Sequence, residues 1–110
     1  MFTRADVINQ AFRRLGIGAE DEAVTGDAFA FASRALDGIA AEVENETGES
    51  VEVDAVAAKS FLPMANLLAV EIAPAYEVAP RDSRARAWSR LLATLRSDDR
   101  EDVPTEARYF

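Results

Sequence analysis

Apolar residues in the first half of the chain recur in steps of three and four, the spacing that lines one face of a helix. Thr3 followed by Asp6 has the form of a capping box, in which each side chain accepts a hydrogen bond from the other residue's backbone N–H. Ile8, Ala11, Phe12 and Leu15 then keep helical spacing until Gly16 supplies a C-cap, so a first helix is expected over about Arg4 to Leu15. The stretch "GIGAEDEAVTGD" reads as a loop by its glycines and acids. Thr25 or Asp27 can cap a second helix, in which Phe29, Ala32, Leu36, Ile39 and Val43 form a narrow stripe over four turns. That helix is expected to end near Glu46, before Gly48, and Phe31 and Ala35 lie off its stripe as a second apolar face.

Val51, Val53 and Ala55 alternate too briefly to define a strand, and "ETGESVEVDAV" is read as an extended connection. Asp54 is placed to cap a short helix reaching about Ser60. Pro63 lacks a backbone donor and clashes with a preceding turn, so the pattern predicts a new helix with Pro63 in its first turn. From there Leu67, Leu68, Val70 and Ile72 make the third helix apolar nearly all round, which predicts a central, buried element. Pro74 and Pro80 bracket its end. Asp82 or Ser83 opens a fourth helix, whose apolar face is read as Ala85, Trp88, Leu91, Leu92 and Leu95, with Arg86 and Arg90 one turn apart on the other side. After Ser97 the pattern fails, because "DDREDVPTEARYF" is charged and contains Pro104. The expected fold class is all-α: a small four-helix bundle-like domain over residues 1–97 with an extended C-terminal tail over residues 98–110.

A chain of 110 residues fits one domain that buries roughly two-thirds of its unfolded surface. Much of its apolar share is alanine, whose methyl buries little area, so additional burial against partner subunits would help. The formal charge of −8 is uneven: residues 1–50 carry ten acids against four bases, and residues 81–110 carry six acids against seven arginines. An acidic body with an arginine-bearing end suits charge-complementary self-association or docking better than tight binding to a polyanion. The sharpest form of that expectation pairs Arg84, Arg86 and Arg90 with Glu42, Glu44 and Glu46 of an adjacent copy.

The inventory for catalysis is short. With no histidine and no cysteine, imidazole acid-base chemistry, thiolate nucleophiles, disulfides and the usual zinc sites are closed. No phosphate-binding glycine loop is present, and the acid pairs Asp21–Glu22 and Asp98–Asp99 lack calcium-loop spacing and read as solvated surface. No catalytic, metal or cofactor residues are therefore expected, nor a signal peptide or membrane span; the chain is read as made and kept in the cytosol. Tyr109 and Phe110, with Val103 and Pro104, are candidate anchors for docking on a partner.

The opening helix "RADVINQAFRRLGI", the second containing "ALDGIAAE", and "NLLAVEIAPAYEVAP" leading into "AWSRLLATLR" together resemble the head-to-tail adaptor family of tailed phages, including the tail accessory factor that stabilises packaged DNA. The family pattern is an apolar helix ending L-A-x-x-L-A-P-x-Y-G, a short turn, and a helix ending L-R; Glu77 stands here where that glycine usually stands. The resemblance covers most of residues 1–96. It implies a structural virion protein at the head-tail interface, synthesised in the host cytoplasm. Such a protein forms a homo-oligomeric ring of about twelve copies to match the portal. The ring sits beneath the portal protein, prolongs the DNA channel, helps retain the genome and offers a platform to the next tail or stopper protein. DNA would be only a transient passenger, which an acidic lumen lets slide. Pro74, Tyr76 and Pro80 would set the corner between the third and fourth helices, and Val103, Pro104, Tyr109 and Phe110 would dock on the portal. The alternative reading is a small cytosolic helical regulator or antidote protein that binds one partner. A helix-turn-helix reading of "INQAFRRLG" lacks a basic recognition helix after it.

Overall fold

In the computed structural model, which describes residues 1–17 and 22–101 with side chains up to Arg96 in the last helix, the capping box closes as the sequence announces. Thr3 Oγ accepts from the Asp6 backbone N–H at 3.2 Å, and the Asp6 carboxylate accepts from the Thr3 N–H at 2.8 Å. Helix α1 (Arg4–Leu15) follows, buries Val7, Ile8, Ala11 and Phe12, and ends on Gly16 at φ 71°. Helix α2 (Gly26–Thr47) starts after Thr25, whose side chain makes no capping bond, and stops at Gly48 with φ 78°. Its stripe of Ala32, Leu36, Ile39 and Val43 is buried, whereas Phe29 is only half-buried. Phe31 uses the second face, meeting the Tyr76 ring edge-on with centroids 6.3 Å apart.

Residues 50–52 form neither helix nor strand, the chain bends at 53–55, and Phe2 and Val56 exchange backbone hydrogen bonds of 2.9 and 2.7 Å in an isolated antiparallel bridge. The third inward place of the alternation belongs to Val56; Ala55 is exposed, since the chain turns at 53–55 and shifts the alternation by one. Asp54 caps no helix. Its carboxylate is held instead by Arg4, at 2.9 Å, so the short helix expected before Ser60 does not form separately.

Helix α3 (Ala58–Ile72) begins three residues later than expected for a cap at Asp54 and runs unbroken through Pro63. Proline here removes one hydrogen bond, the one to the Lys59 carbonyl near the helix start. A break at Pro63 would instead separate Ser60 from Met64, which lie one turn apart on the same buried stripe. Beyond it Ala65, Leu67, Leu68, Ala69 and Ile72 are buried in several directions, so the helix is the central element the sequence predicts, packed against α1, α2 and the last helix.

Pro74 does not stop the chain at once. The backbone tightens into a 3-10 turn over Ala73–Tyr76, with Pro74 in its first turn where no donor is needed, and leaves through Glu77 at φ 56°, ψ 35°. Ser83 then accepts from the Arg86 N–H at 3.1 Å and opens helix α4 (Arg84–Glu101). Its buried face is Ala87, Leu91 and Leu92, flanked by half-buried Trp88 and Leu95. Ala85, expected on that face, is exposed, because Ala87 stands one turn before Leu91 and nearer the centre of the stripe. The helix continues past Ser97 to Glu101: a formed helix adds polar residues without needing an apolar stripe. The chain is thus all-α, with four helices and no named strand among the described residues.

Glu77 is the one described non-glycine residue in the left-handed region, a conformation that costs a residue with a Cβ roughly 1–2 kcal/mol. Part of that is offset by glycine's larger freedom when unfolded. Glu77→Gly is expected to stabilise the fold by about 0.5–1 kcal/mol, read as a higher urea midpoint at unchanged slope. Gly48→Ala has open space around it but meets φ 78°, and should shift the midpoint the other way by about 1 kcal/mol.

Candidate assembly surfaces

Two arginines cross-link the helices. Arg4, in the first turn of α1, reaches Asp37 on α2 at 2.8 Å, Ser33 Oγ at 2.7 Å and Asp54 in the connecting segment at 2.9 Å. Arg84, at the start of α4, reaches both Glu42 oxygens on α2 at 2.8 Å, bonds Glu71 on α3, and lies 5.5 Å from the centre of the Trp88 ring. Hydrogen bonds to Glu42, then Glu71, hold the Arg84 guanidinium above its ordinary pKa, and the Asp54 bond does the same for Arg4. Such partly exposed pairs contribute under about 1 kcal/mol each, so their chief effect is to fix how the helices sit on one another. The pairing of Arg84 with Glu42 expected between copies is made here within one chain.

Asp82 gathers Arg86 and Arg90. Its side chain is only 7% exposed; it accepts from the Ser83 N–H at 3.0 Å, from Asn66 Nδ2 at 3.3 Å and from Arg90 Nη1 at 2.9 Å, with Arg86 Nε at 3.7 Å. A carboxylate just before a helix start is favoured by the helix dipole, and its burial is tolerated because every side is paired. Arg86 and Arg90 therefore lean toward the start of their own helix, while Glu44 and Glu46 stand exposed near the end of α2. Neither Arg4 nor Asp82 stood out in the sequence as an organising charge. Asp82 was legible only as a cap, and nothing in the spacing of Arg4 from Asp37 and Asp54 announces their meeting.

At the corner after α3, Pro74 and Pro80 are exposed and Tyr76 is half-buried. The Tyr76 ring packs edge-on against Phe12 of α1, centroids 5.3 Å apart, as well as against Phe31 of α2. It thereby fastens the end of α3 to the first two helices. Beside it lies a cleft of about 250 Å³ with Phe12, Ile17, Val24 and Ala28 in its walls.

A second groove, about 360 Å³, lies between the end of α2, residues 49–51 and the Leu92–Arg96 part of α4, with Val51, Leu92 and Leu95 in its floor. It runs into a smaller hollow of about 180 Å³ that shares Ser50, Val51 and Leu95 and reaches Ser60 and Met64 on α3. Ser60 Oγ is the buried side-chain polar atom left without a hydrogen bond among the described residues. On α3 itself Leu62 is 55% exposed, next to Phe61, whose ring stacks on Phe2 at 4.0 Å.

Val103, Pro104, Tyr109 and Phe110 lie outside the described residues. Among the residues described, no group of three His, Cys, Asp or Glu is placed to hold a metal ion, and no helix is long and apolar enough to cross a membrane. No family model, curated protein or solved structure matches the chain.

The Arg4 hydrogen bond draws the Asp54 carboxyl below the usual aspartate range. A lowered folded-state value means that this stabilisation is present above the unfolded value, near pH 4, and is lost as pH falls through the folded one. Asp54→Asn should therefore melt below the wild type at neutral pH, and the gap should close in a series of melts taken down to pH 2 or so.

Proposed function

We propose that the chain is a structural assembly protein of the head-to-tail adaptor kind, forming a ring beneath a phage portal that prolongs the DNA channel and carries the tail. The observation that carries this reading is the corner. An apolar helix running into A-P-A-Y and then a residue in the left-handed conformation is the backbone that the adaptor pattern's glycine after tyrosine would serve, and Glu77 adopts it despite its Cβ. Supporting it is a core closed round α3 within one chain, which leaves mostly polar outer faces and a few apolar features, among them Leu62, the cleft beside Tyr76 and the Leu92–Leu95 groove, for contacts beyond the chain. The net charge of −8 suits a conduit that must not hold DNA. In this reading the function is assembly rather than turnover, and Val103, Pro104, Tyr109 and Phe110 dock on the portal.

The test supplies purified chain to portal-bearing heads assembled without it and measures retained DNA and tail joining. Full-length chain is expected to restore both. A chain ending at Glu101 should melt as the full chain does yet restore neither. If full-length chain leaves the heads leaking and tailless while capturing one soluble protein as a one-to-one complex, the adaptor reading fails and the regulator reading takes its place.

A further inference from the structure

We draw no further inference here: the strongest candidate, the cleft of about 250 Å³ between the end of α1 and the start of α2, walled by Phe12, Ile17, Val24 and Tyr76 with Arg13 also lining it, adjoins residues 18–21 outside the described part of the chain, and nothing in the structure shows what covers it.

Discussion

The apolar length of one helix, Met64 to Ile72 of α3, must be covered on several sides at once, and the rest of the structure follows from that requirement. α3 presents Met64, Leu67, Leu68, Ala69 and Ile72 in directions that no single neighbour can shield. Burying each such side chain contributes on the order of 1.5–3 kcal/mol for the larger ones, while exposing any face forfeits that and opens water to the core. The three remaining helices wrap it: α1 supplies Ile8 and Phe12, α2 supplies Leu36 and Ile39, and α4 supplies Ala87, Leu91 and Leu92. The same demand explains why Pro63 sits inside the helix. One missing hydrogen bond near the start costs less than a break that would pull Ser60 and Met64 out of the common stripe.

Charge then sets the angles that apolar packing leaves loose. Arg4 joins α1 to α2 and to the connecting segment, Arg84 joins α4 to α2 and α3, and Asp82 ties the start of α4 to Asn66 on α3. None of these pairs is strong alone. Together they specify one arrangement of helices whose apolar surfaces, being rich in alanine, would pack passably in several.

What could be read from the chain divides along physical lines. Local rules were sufficient for α1, where the Thr3–Asp6 box and Gly16 mark both ends, and for the stripe of α2, where the spacing of Ala32, Leu36, Ile39 and Val43 repeats over four turns. They also gave α3 as central. They failed where a tertiary term outweighed a local one. Pro63 reads as a start only if the burial of Ser60 and Met64 is unknown, and Asp54 reads as a cap only if Arg4, fifty residues away, is out of sight. On α4 the choice between Ala85 and Ala87 turns on one residue of register, which two alanines of equal hydropathy cannot decide. The candidate surfaces were less legible still: Arg84, Arg86 and Arg90 were visible as a cluster, but their acceptors on the same chain, and the exposure of Leu62, depend on how the helices are packed.

A molecule organised in this way has a closed interior and a largely charged exterior, on which the apolar features are exposed Leu62 and the clefts beside Tyr76 and between Val51 and Leu95. Everything proposed for its exterior presupposes that α3 from Met64 to Ile72 is covered by its own chain before any partner arrives. Amide hydrogen exchange of the free protein tests that directly. The backbone N–H groups of residues 64–72 should be the slowest to exchange, opening only with global unfolding, while those in the first turns of α1 and α2 exchange earlier. If the amides of α3 exchange faster than those of α1 or α4, its cover is incomplete in the single chain, and the central helix must be completed by a neighbour instead.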